Sequence, residues 1–205
     1  MITIGLTGGI GAGKTLVSEM LAAKGAALVN ADLVGHRSYR QGTPVYERLI
    51  AEFGREILDA EGEIDRRKLG QRVFADPKER ERLNYIVWPA MATIMEEDLA
   101  ELRARGAAVA VVEAAVLIDA GWGYLADEVW VVIASPQVTK QRLVDGKGMS
   151  DDQAKARIHA QLSNEELKWY ADVVIENDGR VADLQSRVDE QWNELQQRIA
   201  RGGGS

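Results

Sequence analysis

The stretch Gly8-Gly9-Ile10-Gly11-Ala12-Gly13-Lys14-Thr15 constrains the fold more than any other part of the sequence. It follows the apolar run ITIGLT and precedes KTLVSEMLAAKG, in which Leu16, Val17, Met20 and Leu21 recur at helical spacing before Gly25. Strand, glycine loop and helix, in that order, are what the pattern G-x-x-x-x-G-K-[ST] requires. The glycines let backbone N–H groups turn inward around a polyphosphate, and the following helix points its positive end at the anion. Gly9, Gly11, Ala12, Gly13, Lys14, Thr15 and Leu16 are therefore the candidate nucleotide-binding residues, with Lys14 at the β/γ-phosphates and the Thr15 hydroxyl as a magnesium ligand.

Four further apolar runs, AALVN (26–30), VAVVEAAV, EVWVVIAS and DVVIEN, are continuous rather than alternating. Such strands, separated by helical segments, predict a parallel sheet covered on both faces, an α/β domain of three layers. The spacing is uneven. Residues 31–106 carry mostly helical signals, in PVYERLIAEFG, DRRKLGQRVF and PKERERLNYIVWPAMATIMEEDLAELRARG, where Pro89 is expected to kink or break the last helix. A shorter helical segment follows Ser135, with PQVTKQRLVD and SDDQAKARIHAQL flanking the link GKGM. The last helix, VADLQSRVDEQWNELQQRIA, places Val181, Leu184, Val188, Trp192, Leu195 and Ile199 on one side. The expected organisation is a core of 1–35, 106–135 and 169–200, a helical insertion at 36–105, a lid at 136–168 and a flexible tail at 201–205.

With 205 residues, 46% of them hydrophobic, the chain has material for one main core. Its formal net charge of −7 disfavours nucleic acid and anionic membranes as partners, so an anionic ligand needs a local positive site. There is no cysteine, and MITIGLTGG lacks the features of a signal peptide, which favours a cytoplasmic location. His36 and His159 are far apart in sequence, which argues against zinc. A monomer or weak homo-oligomer is expected. The tryptophans, including Trp88, Trp122 and Trp130, read as core rather than ligand stackers.

The phosphate loop alone leaves the acceptor open. The pattern N-K-x-D, which specifies guanine, is absent. Glu113 ends the third strand, either as a carboxylate holding a magnesium-bound water or as a solvated strand end. Asp32 follows the second strand, where its carboxylate raises a question of role beside its plain reading as a helix N-cap. Arg142 and Arg157 in the lid either clamp ATP phosphates or line a solvated helix face. Arg66, Arg67 and Lys68 form a basic patch suited to an anionic substrate.

Several stretches in order, GLTGGIGAGKT, NADLVGHRSYRQGTPVYERLIAEFG, EGEIDRRKLGQRVFADPKERERLNYIVWP, AAVLIDAGW, RLVDGKGMSDDQAKARIHAQLS and ADVVIENDG, resemble the dephospho-CoA kinase family. HRSY, Trp88-Pro89, AAVL and AGW look closer to the kinase domain of the animal bifunctional CoA synthase than to many bacterial members, which carry His-Pro and Pro-Leu-Leu at the second and third of these places. The resemblance implies a P-loop kinase with strand order 2-3-1-4-5 that uses ATP and Mg²⁺ to phosphorylate the ribose 3′-hydroxyl of dephospho-CoA. It also implies Asp32 facing that hydroxyl, and Lys14 and Arg142 acting on the transferred phosphoryl group. Two other readings stay open: a P-loop kinase for another nucleoside or nucleotide hydroxyl, and a catalytically weak nucleotide-binding regulator.

Three positions depart from the family pattern: Asn30 where Asp is frequent, Leu16 where a hydroxyl residue follows the threonine, and Gly146-Lys147 where an arginine is expected at the first position. Flanked by Gly146 and Gly148, Lys147 is expected on a loose link from which its ammonium swings toward the phosphates.

Overall fold

A computed structural model describes residues 1–202. The chain divides into two compact units, one made of Met1–Val29 with the segment from Leu102 onward, the other of Asn30–Glu101. The first holds a parallel sheet of β1 (Ile2–Gly8), β2 (Ala27–Asn30), β3 (Val109–Glu113), β4 (Glu128–Ile133) and β5 (Val173–Glu176) in the order β2-β3-β1-β4-β5. Strand β1 runs parallel to β3 from Ile2↔Val109 to Leu6↔Glu113 and to β4 from Ile4↔Glu128 to Gly8↔Val132. The expected fold and strand order are both present.

The continuous apolar runs have a simple cause: both faces of the sheet are covered. Successive residues of a strand point to opposite faces. Ile4 and Leu6 of β1, with Val111, Trp130, Val132 and Ile175, are buried in one cluster with Val17 and Leu21 of α1 (Lys14–Ala23) and Leu184, Val188 and Leu195 of α9 (Val181–Gly202). Each such side chain contributes roughly 1.5–3 kcal/mol by leaving water. Opposite, Val131 and Ile133 pack with Leu167 of α8 (Asn164–Lys168). Gly5 also faces a filled space, since a Cβ there would lie 2.8 Å from Leu117 Cδ2 and 3.0 Å from the Ala126 Cβ.

Some boundaries differ from expectation. The third strand stops at Glu113, so Ala114–Val116 lie beyond it. Val181 is 60% exposed in the first turn of α9, and the buried stripe begins at Leu184. Residues 201 and 202, expected in a flexible tail, are helical, because α9 continues through Gly202. Residues 203–205 lie outside the described residues.

Two helices follow β4: α6 (Pro136–Lys147) and α7 (Asp151–His159). The expected loose link at Gly146-Lys147 is corrected here, because both residues belong to the last turn of α6 and Gly148 caps it in the left-handed region (φ 64). The Ser150 hydroxyl and Gln153 then close a reciprocal capping box on α7. These two caps confine the non-helical link to 148–150.

The second unit is helical, with α2 (Ala31–Ser38), α3 (Pro44–Phe53), α4 (Arg66–Ala75) and most of α5 (Pro77–Ala104). Leu49, Phe53, Ile57 and Leu69 are among its buried residues. Arg72 of α4 donates to the Phe53 carbonyl at 2.6 Å and to Glu56 at 2.8 Å, tying α4 to the end of α3. The expected break at Pro89 does not occur, and α5 remains helical across it. Pro89 and Tyr85 are both exposed, so the Tyr85 carbonyl that loses its N–H partner lies on the wet side, where water offsets the loss.

Two glycines test this packing in opposite directions. Gly5→Val should destabilise the chain by about 1–3 kcal/mol through overpacking against Leu117 and Ala126. Gly146→Ala meets nothing within 4 Å and sits in a helix. It should leave stability equal or raise it by up to about 1 kcal/mol. Urea midpoints at unchanged m-values check both.

Candidate active site

β1 ends at Gly8 and α1 begins at Lys14, so the predicted loop occupies the carboxyl end of the central strand. Gly13 stands at the N-cap of α1 with φ 103 and no side-chain cap, leaving the first N–H groups of the helix to other acceptors. The Lys14 Nζ donates to the carbonyls of Gly8 (2.8 Å) and Gly9 (3.2 Å), which sets the ammonium across the start of the loop. Leu16 divides its role: its backbone belongs to the first helical turn, while its side chain packs against the core.

Glu113 is not a solvated strand end. It is 9% exposed, and its carboxylate accepts from Thr15 Oγ1 at 3.0 Å and Ser18 Oγ at 2.8 Å. Register explains this placement: Leu6↔Glu113 pairing puts the carboxylate beside the end of β1, from which the loop departs. Ser18 escaped the sequence reading because it sits one helical turn past the motif. Its spacing of three from Thr15, on the same side of the helix, was the available signal.

Arg142 reaches the loop from α6. Its Nη1 donates to the carbonyls of Gly11 (3.2 Å) and Ala12 (3.4 Å), and its Nη2 to Asn177 O (2.8 Å) and Oδ1 (3.2 Å). It is therefore not on a merely solvated helix face. Arg157 and Lys147 are exposed, on α7 and at the end of α6. Gln161, which the sequence reading also missed, accepts from the Ile10 N–H of the loop at 2.6 Å. A cavity of about 750 Å³ adjoins this side of the loop, lined by Ile10, Ala12, Thr139, Lys155, His159 and Gln161 among others. Across α6 and α7, Asp151 pairs with Lys140 and Lys155, both at 2.7 Å, and these ammonium groups bring its pKa down to about 2.

In the helical unit, Asn30 resolves the question about Asp32. The Asn30 side chain accepts from Leu33 N at 3.1 Å and is the N-cap of α2, while Asp32 is exposed in the first turn. The N-cap alternative for Asp32 is thereby removed. His36 and Tyr39 follow on α2, with rings 6.3 Å apart in an edge arrangement. Burial, and then the Arg66 guanidinium, hold the His36 imidazole below its ordinary value, with Asp32 opposing. Burial raises the Tyr39 phenol, which Arg66 partly offsets. Asp32, His36, Tyr39 and Arg66 thus form one electrostatic group. Of the basic trio, Lys68 donates to the Leu58 carbonyl at 2.5 Å, a structural use that closes the bend from 58 to 64. Arg67 is exposed, and its backbone N–H is capped by Asp65 at 2.9 Å.

A phosphate loop on the central strand of a parallel sheet, a carboxylate wired to the loop threonine and an arginine on the loop backbone define a phosphotransferase of the P-loop kinase class. Within that class the chain belongs to the dephospho-CoA kinase family, whose model, described as Dephospho-CoA kinase, matches residues 2–183. It is 41% identical over 192 residues to the dephospho-CoA kinase of Geobacter sulfurreducens, covering 94% of this chain and 98% of that protein. It is 39% identical over 203 residues to that of Symbiobacterium thermophilum, covering 99% and 83%. Among solved structures, TT1252 from Thermus thermophilus superposes with a TM-score of 0.77 at 29% identity, covering 95% of this chain and 97% of that one. These relatives carry the family assignment. The finer likeness to the animal bifunctional enzyme rests on the short stretches HRSY, Trp88-Pro89, AAVL and AGW.

The shifted histidine sets a pH prediction. The folded pKa of His36 lies below 6.5, so neutral His36 contributes stability above that pH, and the contribution is lost as pH falls through the folded value. Thermal midpoints measured from pH 7 to pH 5 should fall less steeply in His36→Gln than in the parent. Parallel slopes would mean that the imidazole titrates without constraint.

Proposed function

We propose that the chain transfers the γ-phosphoryl group of ATP to the ribose 3′-hydroxyl of dephospho-CoA, giving ADP and CoA. The observation that carries the reading is the loop geometry, with Lys14 across its mouth and Thr15 wired to buried Glu113. In a loose phosphoryl-transfer transition state little covalent chemistry is left to the protein, so positioning and charge stabilisation supply most of the rate. The acceptor oxygen forms the new P–O bond, the bond to the β–γ bridging oxygen breaks and the hydroxyl proton leaves late.

Lys14 offsets charge on the β/γ-phosphates, and the uncapped N–H groups of α1 bind phosphate oxygens. Asp32 orients the acceptor hydroxyl or takes its proton. β2 ends at Asn30, and ligand sites in parallel sheets lie outside the carboxyl ends of their strands, which supports this role. Arg66, held beside His36 and Tyr39, and Arg67 supply positive charge for the acceptor's phosphates. Lys68 belongs to this patch mainly through its electrostatic field. Arg142, Arg157 and Lys147 serve the nucleotide side, and closure of α6 and α7 excludes water.

A hydroxyl and a carboxylate are hard oxygen donors that suit Mg²⁺, and Thr15, which donates to Glu113, would ligate it while Glu113 would hold a coordinated water. Among the described residues no group of three or more His, Cys, Asp and Glu is placed to hold a metal ion. The cation supplies neutralisation of charge on the β- and γ-oxygens. No helix among the described residues is long and apolar enough to cross a membrane. Small soluble substrates make cytoplasmic residence, as a monomer or weak homo-oligomer, part of the same proposal.

A coupled assay of ADP release with dephospho-CoA tests the reading, beside a panel of other nucleoside and nucleotide acceptors. Robust turnover of another acceptor with none of dephospho-CoA would replace it. Lys14→Ala should lose most turnover with an unchanged thermal midpoint. Asp32→Asn should lower kcat by about 10²–10⁴-fold while stability and ATP affinity hold, because Asn30 retains the cap. A full rate from Asp32→Asn would refute the acceptor-side role of that carboxylate.

A further inference from the structure

Asn177, the residue after β5, is 5% exposed and lies outside the loop motif. Its backbone N–H donates to Ile133 O at 2.8 Å, extending the ladder between β4 and β5 by one residue and fixing its Cα. The side chain then bridges two groups. Nδ2 donates to Ala12 O at 2.8 Å, and Oδ1 accepts from Arg142 Nη2 at 3.2 Å. The amide orientation is dictated by these partners, since a flip would set carbonyl against carbonyl and NH₂ against guanidinium. Gly13 is required by the same contact, because a Cβ there would lie 2.3 Å from Nδ2.

Arg142 meets four acceptors in this network, the carbonyls of Gly11, Ala12 and Asn177 and the Asn177 Oδ1. All four are uncharged, so the bonds place the guanidinium without cancelling its charge. A trans peptide holds its C=O and N–H on opposite sides. Drawing the Ala12 carbonyl toward Asn177 and Arg142 therefore turns the Gly13 N–H the other way, into the loop.

We propose that Asn177 is a positioning residue for the nucleotide: it anchors Arg142 on the carbonyl side of the phosphate loop. The loop N–H groups are thereby aimed at the polyphosphate, and an uncancelled positive charge is held behind them. Asn177 acts through Arg142 and Ala12 rather than by touching the transferred group. The inference rests on the nucleotide-binding reading of the loop.

The experiment measures ATP affinity by calorimetry and, separately, kcat and the KM for each substrate, in the parent, Asn177→Ala, Asn177→Asp, Arg142→Ala and the double alanine variant. Hydrogen bonds to a charged group lead us to expect that Asn177→Ala weakens ATP binding about 10-fold, with the KM for ATP rising in step and kcat and the acceptor KM much less affected. The double variant should be no worse than Arg142→Ala, because both changes break one device. Asn177→Asp is the discriminating variant. It fills the same space, but it loses the donor to Ala12 and cancels the guanidinium charge, so it should bind ATP more weakly than Asn177→Ala. A packing role predicts the reverse order, and that result, or additive losses in the cycle, overturns the proposal. If Asn177→Ala fails to fold, Asn177→Ser takes its place against Asn177→Asp with the same ordering expected. A parent that binds no ATP removes the loop reading and the proposal with it, an outcome distinct from a parent that binds ATP and variants that match it.

Discussion

Strand β1 is parallel to both neighbours and buried on both faces, and the placement of the phosphate loop and of Glu113 depends on that constraint. A parallel strand between two others has one register compatible with its ladders, and here it sets Leu6 beside Glu113 and Gly8 beside Val132. A slip of one residue would turn Ile4 and Leu6 out of the cluster formed with α1 and α9. It would also move Glu113 away from Thr15 and Ser18. The apolar packing that stabilises the sheet and the placement of the carboxylate are thus fixed by the same hydrogen-bond ladder.

The loop is held from several directions. Glu113 accepts from the Thr15 hydroxyl, Lys14 bonds the carbonyls of Gly8 and Gly9, and Gln161 accepts the Ile10 N–H. Arg142 and Asn177 take the carbonyls of Gly11 and Ala12. Glycine-rich backbone is entropically costly to order. Bonds to the carbonyls restrain it without consuming the N–H groups that a phosphate needs, and this preorganisation favours tight binding. In the helical unit Asn30 performs a comparable service for Asp32. By taking the cap it leaves the neighbouring carboxylate exposed.

The parts legible in the sequence were those with local periodicity or a local motif. The phosphate loop, the five strands and the long amphipathic helix all announce themselves within short windows, and the strand order came from resemblance to a family. Boundary errors had local physical causes. Pro89 sits where exposure removes the penalty for a missing hydrogen bond, and Gly146-Lys147 is helical because the left-handed cap falls at Gly148 rather than earlier. The sequence reading offered only Asp32 as a cap for α2, because residue type alone does not say where the helix starts. The backbone decides by placing Asn30 in the extended region, with its side chain over the Leu33 N–H.

By itself the sequence determined the fold class, the phosphate chemistry of the loop and the candidacy of Lys14, Thr15 and Glu113, because each depends on residue type and short-range spacing, while the role expected of Asp32 came from resemblance to a family. Tertiary structure alone decided what those residues touch. The bonds from Thr15 and Ser18 to Glu113 span sequence separations of 98 and 95 residues, and that from Asn177 to Ala12 spans 165. No local signal encodes such contacts. They exist because parallel strands distant in the chain are brought side by side, and because a buried polar group must find its partner among whatever the ladder places next to it.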